Sequence, residues 1–499
     1  MNRRKFLASS VAAGVASALP ASQIVAAVEA LTAVQSDVEA ITGAGQKISL
    51  ERAAVDELSK SLRGNLLLPD NDGYDAARRV LNASIDKYPA LVIQPNGATD
   101  IRHAVNFARD KNLLLAVKCG GHSWAGKSTC NGGMQIDLST LRHVRIDPEA
   151  RRAYVAGGSL LGEMDRESME FGLVTTAGTV SHTGVGGLTL GGGFGRVARR
   201  FGLALDNVKG VNVVTADGNL LRADADRNPE LYWGVRGGGG NFGIVTSFEF
   251  ELHPMDRKVL AGELFFPVER ARDVLNLYAE QISSAPDDLY CDAMIMSPPG
   301  GAPAIAGFSL CYSGPAARAG EVLAPFRKLG KPMVDTIGVK DYVEVQKSFD
   351  NSDPRSVGEY MKTGFINDLP GDLVDKVIDG FEGDPGRSTM LYFQHSGGAI
   401  GKVDADATAF AHRKSLASMF IFISWPLDTQ SDDDIAYMRK YWSTLEKFTD
   451  GWYTNEVSAE SQRAISSNYQ GNFERLLALK KQYDPGNLFR LNANIDPKV

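Results

Sequence analysis

Three stretches of this chain carry more glycine than an ordinary loop needs, and they restrict the fold more than any other feature. The first is Lys118-Cys119-Gly120-Gly121-His122-Ser123-Trp124-Ala125-Gly126. The second, Gly178 to Gly195, has eight glycines in eighteen residues, and the third, Trp233 to Val245, contains Gly237 to Gly240 in a row. Glycine loses more backbone freedom on folding than any other residue, so such density needs a reason. Backbone that approaches a ligand closely is one reason. Successive N–H groups cradling a pyrophosphate are another. A plain linker would place Ser, Asn or Lys between the glycines, whereas these stretches have Val, Leu, Trp and Phe. Together they hold much of the surplus that makes 52 of 499 residues glycine, against a usual level of about 7%.

A chain of 499 residues exceeds one ordinary core of about 100–200 residues. With 53 Lys plus Arg against 60 Asp plus Glu, the net charge of −7 argues against a nucleic-acid partner. Met1-Asn2-Arg3-Arg4-Lys5-Phe6-Leu7 followed by an apolar run to Leu19 reads as an export signal of twin-arginine type, over residues 1–30. The expected location is the periplasm, with cleavage between Ala18 and Ala30 and no stable membrane insertion afterwards. The four cysteines form no C-x-x-C pair and the seven histidines are scattered, so no metal site is expected. A disulfide between Cys291 and Cys311 stays open at this level.

Residues 31–75 read as an Ala-rich helical segment. Strand and helix signals then alternate. Leu91-Val92-Ile93 is a short apolar strand, Asp100 is placed to cap a helix, and Ile101, Ala104, Val105 and Ala108 share one face of it. Leu113 to Val117 returns as a strand, Ala216-Asp217-Gly218 marks a hairpin, and Phe248, Phe250 and Leu252 alternate as in a half-buried strand. The texture changes near His253-Pro254, which divides residues 76–257 from an α+β unit over 258–448. In the last part, 449–499, a helix from Asn472 to Tyr483 is stopped by Asp484-Pro485-Gly486.

Gly193-Phe194-Gly195-Arg196-Val197-Ala198, with Asp217 beyond it, fits a nicotinamide-dehydrogenase fingerprint. That fingerprint must follow a hydrophobic strand, and glycine-studded sequence precedes this one. A non-catalytic periplasmic binding protein for a phosphorylated ligand is a further reading of the loops.

From about Tyr88 to the C-terminus the chain resembles the berberine bridge enzyme-like FAD-linked oxidases, which share the flavin domain of vanillyl-alcohol oxidase and p-cresol methylhydroxylase. The resemblance rests on the strand-GGH-S loop, on Gly184 to Gly195, on Arg236 to Gly243, and on Asn472-Phe473-Glu474-Arg475-Leu476 with Tyr483 to Phe489. It implies an α+β fold: a two-part FAD-binding domain, a substrate domain with an antiparallel sheet, and a C-terminal segment that returns to complete the first. It also implies an enzyme that moves a hydride from a hydroxyl-bearing carbon of a sugar, alcohol or secondary metabolite to FAD. Oxygen or another acceptor would reoxidise the flavin.

The resemblance implies specific roles. His122 matches the histidine bonded to the flavin 8α-methyl group. Val180 stands where many relatives have a second linking cysteine, so a single link is expected. Thr183 matches a position that governs oxygen access. Cofactor-contacting residues are expected at Lys118, Cys119, Gly120, Gly121, Ser123, Gly126, Gly178, Thr179, Val180, Gly184, Gly187, Gly191, Gly192, Gly195, Gly243, Ile244, Val245, Asn492 and Asn494. Relatives often read Tyr-x-Asn-Tyr where this chain has Tyr453-Thr454-Asn455-Glu456, which makes Glu456 the candidate base and Tyr453 its alternative. A base works best with a pKa near ambient pH. A free Glu, at about 4.3, reaches that range by burial. Tyr392, Gln394, His395, His412 and Arg413 are candidates for contact with the small-molecule substrate.

Overall fold

The computed structural model describes residues 36–350, 355–429, 431–456 and 462–499. The export-signal reading falls on residues outside these. Among the described residues of the expected helical segment, helix covers Arg52–Ser61 and the start of Tyr74–Arg78, while Val38–Ile41 and Lys47–Leu50 form an antiparallel hairpin. Val38, Ile41, Thr42 and Ile48 are β-branched, and Gly45 takes a left-handed φ of 79° in the turn. These local preferences override the helical tendency of the alanines.

Two sheets carry the glycine loops. In the first, strands Leu91–Gln94 and Leu115–Lys118 flank Met134–Asp137 in parallel, with Asn65–Leu67 antiparallel at one edge. Helix Ala98–Asp110 packs on this sheet through Ile101, Ala104, Val105 and Ala108, all buried. The helix starts two residues before Asp100, so that residue does not cap it. Its carboxylate instead accepts the N–H groups of Arg63, Gly64 and Asn96 at 3.0, 2.9 and 2.8 Å, tying the edge strand to the helix start. The second sheet is five-stranded, in the order Leu220–Asp224, Val208–Val214, Ile244–Glu251, Arg152–Ala156, Val144–Asp147. The expected hairpin around Asp217 joins its first two strands.

The rest of the chain builds a large antiparallel sheet in the order Val334–Asp335, Lys258–Pro267, Ile305–Tyr312, Leu289–Ser297, Ser388–His395, Ala417–Pro426, Val357–Ile366, with Gly338–Asp341 also pairing Lys258–Pro267. Helices Ala271–Ile282, Ala319–Arg327, Gly371–Gly380 and Asp432–Leu445 cover one face. Because strand side chains alternate, Leu264 and Phe266 join that helical core while Phe265 points to the other face. Register also answers the cysteine question. Cys291 lies opposite Leu310 and Tyr290 opposite Cys311, which sends the two sulfurs to opposite faces, and both are free thiols.

The C-terminal helix Phe473–Tyr483 returns to the second sheet. Leu476, Leu477 and Leu479 share a core with Val211, Val213, Trp233, Phe248 and Phe250. Burying one such side chain stabilises by about 1.5–3 kcal/mol. Lys480 locks the return, its buried Nζ donating to the Asp484 carboxylate at 2.7 Å and to the carbonyls of Phe489 and Asn241 at 2.9 and 3.0 Å.

Candidate active site

The open face of the large sheet and the glycine loops enclose a cavity of about 1080 Å³. The first loop leaves strand Leu115–Lys118 and brings Cys119, Gly120, Gly121, His122 and Ser123 to the wall. It meets the second loop backbone to backbone: a Cβ on Gly120 would lie 2.3 Å from the Gly184 nitrogen, and one on Gly184 equally close to the Gly120 nitrogen. Gly178, Thr179, Val180, Thr183, Gly184 and Gly187 line the cavity from the second loop, and Gly243, Ile244 and Val245 from the third. Asn492 completes this side. Its Nδ2 donates to the Phe489 carbonyl at 3.1 Å, while its buried Oδ1 has no hydrogen-bond partner among the described residues.

Other expected cofactor contacts are turned elsewhere. Lys118 is buried under the sheet, where Nζ donates to the carbonyls of Ala77 and Arg79 and pairs with Asp137 at 3.5 Å. Gly126 serves a left-handed turn against Ile85. Gly191 and Gly192 make room for the C-terminal segment, since a Cβ there would strike Asn455 at 2.1 Å and Tyr453 at 2.8 Å. Gly195 packs on the Gly178 backbone; the Asn494 backbone carbonyl accepts from Gln462, while its buried Oδ1, like that of Asn492, has no hydrogen-bond partner among the described residues. The Gly193 fingerprint also fails in context. It follows the short helix Val185–Gly191, not a strand, and Asp217 is spent on Thr215 and Asn219 within its turn.

His122 faces the cavity beside a residue that the sequence reading missed. His122 Nε2 is 2.7 Å from His182 Nδ1, and His122 Nδ1 is 3.3 Å from the Thr183 hydroxyl. Burial first, then the neighbouring His182 and Arg355, hold the His122 pKa well below the usual imidazole range, which keeps the ring neutral and nucleophilic. Nothing in spacing or periodicity marked His182. Its position depends on the second loop folding across the first.

Tyr453 and Glu456 line the same cavity from a short turn. The Tyr453 hydroxyl accepts the Gly193 N–H at 2.8 Å and the Asn455 Nδ2 at 2.7 Å. Burial pushes its pKa up, so it stays protonated at neutral pH. Burial also raises the Glu456 carboxyl to about 7, with the Thr363 hydroxyl opposing. Glu456 Oε2 is enclosed and has no hydrogen-bond partner among the described residues.

The substrate candidates separate by strand phase. On Ser388–His395, Tyr392 and Gln394 face the cavity, whereas His395 points to the helical side, its Nδ1 accepting the Cys291 N–H at 3.3 Å. His412 stacks on Phe365 at 4.5 Å, with its Nε2 against the Asn468 carbonyl at 2.9 Å. Arg413 is fully buried and holds Asp206 through two bonds of 2.8 and 2.9 Å. Neither of these two lines the cavity. They join the large sheet to the loop-bearing part. Alternation along Ala417–Pro426 would have found Phe420 and Phe422, which do line it.

Residues 89–224 match the family of FAD binding domains and 452–496 the family described as berberine and berberine like. An FAD-linked oxidoreductase of Dictyostelium discoideum is 31% identical over 448 residues, covering 89% of this chain and 97% of the relative. The chain belongs to the berberine bridge enzyme-like FAD-linked oxidoreductases. This berberine bridge enzyme-like protein is also 29% identical to the (R)-6-hydroxynicotine oxidase of Paenarthrobacter nicotinovorans, over 88% of its own length and 98% of the relative's. Among solved structures, 6-hydroxy-D-nicotine oxidase from Arthrobacter nicotinovorans superposes with a TM-score of 0.80 at 27% identity, covering 88% and 98% of the two chains. The xylooligosaccharide oxidase of Myceliophthora thermophila, at 23% identity and a TM-score of 0.79 over 89% and 99%, shares the fold. The protein is an FAD-dependent oxidoreductase. The residues present fit that cofactor: the glycine faces leave the cavity open to backbone, and the enclosed Asn492 Oδ1 awaits a donor.

Proposed function

We propose that this enzyme holds FAD through one covalent bond, at His122, and oxidises a carbon bearing a hydroxyl or amino group, with Glu456 as the base. The observation that carries the reading is the placement of neutral His122 and of Glu456, with its raised pKa, on one cavity. When bound, FAD supplies the acceptor for a hydride from carbon and passes two electrons to dioxygen or another acceptor. Glu456 Oε2 takes the substrate's O–H or N–H proton as the hydride leaves, and a pKa of about 7 suits that transfer near neutral pH. Tyr453, fixed by Gly193 and Asn455, holds the turn that presents Glu456. Val180 lines the cavity with a side chain that forms no bond to a cofactor, which limits attachment to one link.

The test is direct. Purified protein should be yellow, and the colour should stay with the polypeptide after acid precipitation. Colour released from the wild type would remove the His122 bond, and a His122→Ala variant that kept acid-stable flavin would do the same. Export before substrate is met is part of the proposal, supported by Arg3-Arg4-Lys5-Phe6-Leu7. Replacing both arginines by lysine should leave the protein inside the cell.

A further inference from the structure

The wall opposite the glycine loops has a chemistry of its own. Strand alternation sends Met294 and Met296, Met390 and Tyr392, and Phe420 and Phe422 from three adjacent strands into the cavity. Tyr392 and Phe420 are cross-strand partners, with ring centroids 4.8 Å apart and planes inclined by 20°. The Tyr392 hydroxyl donates to Asp292, a buried carboxyl whose other oxygen accepts the His395 N–H at 2.9 Å. This anchor engages the hydroxyl and fixes the ring beside Phe420 in the cavity wall. The thioethers around it suit the edges of an aromatic ring.

Charge adds a second constraint. Glu263 and Glu359 line the cavity from the sheet and Glu456 from its turn, and among the described lining residues the one lysine or arginine is Lys127, on the loop after His122. An oligosaccharide carries a hydroxyl on nearly every carbon. Glu263, Glu359, Ser388, Gln394 and Ser424 line the cavity beside the methionines and rings, so a hydroxyl that reaches none of them is the one left without a partner, at a cost of about 1–3 kcal/mol. Among the described lining residues an anion would meet three glutamates and one lysine.

Resting on the flavin-dependent oxidation proposed above, we propose that the substrate is a flat, largely apolar ring compound without negative charge, seated on the Tyr392–Phe420 pair. Polysaccharide fragments and aromatic acids fit this wall less well.

Four probes test this with the flavin-loaded protein: 2-naphthylmethanol, 2-naphthylmethylamine, 2-naphthoate and cellobiose. Calorimetry reads binding whatever the state of the flavin, and anaerobic bleaching reads turnover, so failure of the oxidation reading shows separately from failure of this one. The alcohol and the amine should bind at least about tenfold more tightly than the other two. Tyr392→Leu and Phe420→Leu, which keep apolar volume and remove the flat face, should each weaken ring binding about two- to tenfold while acid-stable flavin stays unchanged. Cellobiose binding as tightly as the naphthyl alcohol overturns the proposal. So does naphthoate binding equal to the alcohol, no binding by any ring probe, or leucine variants that bind rings as well as the wild type.

Discussion

His182 Nδ1 lies 2.7 Å from His122 Nε2, and the Arg355 guanidinium, which donates to the Gly120 carbonyl at 3.0 Å, stands beside both rings. A hydrogen bond at this distance carries one proton between the two ring nitrogens, which fixes the orientation of the His122 ring and leaves its Nδ1 beside Thr183. A histidine that must bond to a cofactor has to lose its proton and hold its ring still. In the attachment proposed for His122, His182 would serve both needs. Replacing His182 by Ala should therefore lower the fraction of chains whose flavin survives acid precipitation, by more than half, with His182→Asn retaining part of it. Comparing acid-stable with total flavin absorbance checks this, and an unchanged fraction in His182→Ala would assign the attachment to His122 alone.

As the proposed base, Glu456 should set the pH dependence. Burial raises its pKa to about 7, and only the carboxylate form accepts a proton. The rate of anaerobic flavin reduction should rise with pH through about 7 in the wild type. In Glu456→Gln it should be lower by about 10²- to 10⁴-fold and lack that limb. Tyr453→Phe should change the rate much less, because the hydroxyl is already engaged by Gly193 and Asn455. Stability gives a second reading of the same group. A carboxyl whose folded pKa exceeds its unfolded value holds its proton longer in the native state, so its contribution to stability falls as pH rises from about 4.3 toward 7. Stopped-flow reduction and denaturant titration across this range measure both, and a pH-independent rate in the wild type would take Glu456 out of the role.

How much of this was legible in the sequence follows from how local each feature is. His122, Val180 and Gly184 sit in contiguous loops whose composition announces a close backbone approach, and the structure places all three on the cavity. Lys118 belongs to the same run but points under the sheet, because the last strand residue obeys the pleat. Gly191 and Gly192 read as cofactor contacts, yet they serve Asn455 and Tyr453 from more than 250 residues away. No local pattern encodes that meeting. The phase error at His395 is of the same kind: one strand alone does not show which face its neighbours bury.

Arg413 shows what a remote pair does for the fold. It is separated from Asp206 by 207 residues and joins the large sheet to the loop-bearing part through a bidentate bond, with further contacts to Thr408 and the Phe410 carbonyl. Removing one partner leaves the other charge buried without compensation. Arg413→Met and Asp206→Leu should each destabilise by about 3–5 kcal/mol, and the double variant should cost much less than their sum. Chemical unfolding of the four proteins measures the coupling. Additive losses would show that the pair does not act as a unit.

Gly120 and Gly187 separate two reasons for glycine within the loops. A methyl group on Gly120 would meet the Gly184 backbone at 2.3 Å, whereas one on Gly187 meets nothing within 4 Å and projects from the helix Val185–Gly191 where it lines the cavity. Gly120→Ala must push two main chains apart, so it should lower both the unfolding midpoint of the flavin-free protein and the amount of flavin bound. Gly187→Ala gains up to about 1 kcal/mol of helix propensity, so the flavin-free protein should be as stable as the wild type or more so. Its added methyl group nevertheless takes space from the cofactor, and flavin retention should fall. Thermal unfolding without flavin and flavin stoichiometry after reconstitution read the two effects apart. Full flavin binding by Gly187→Ala would mean that the second loop does not approach the cofactor at this residue, and the glycine there would need another cause.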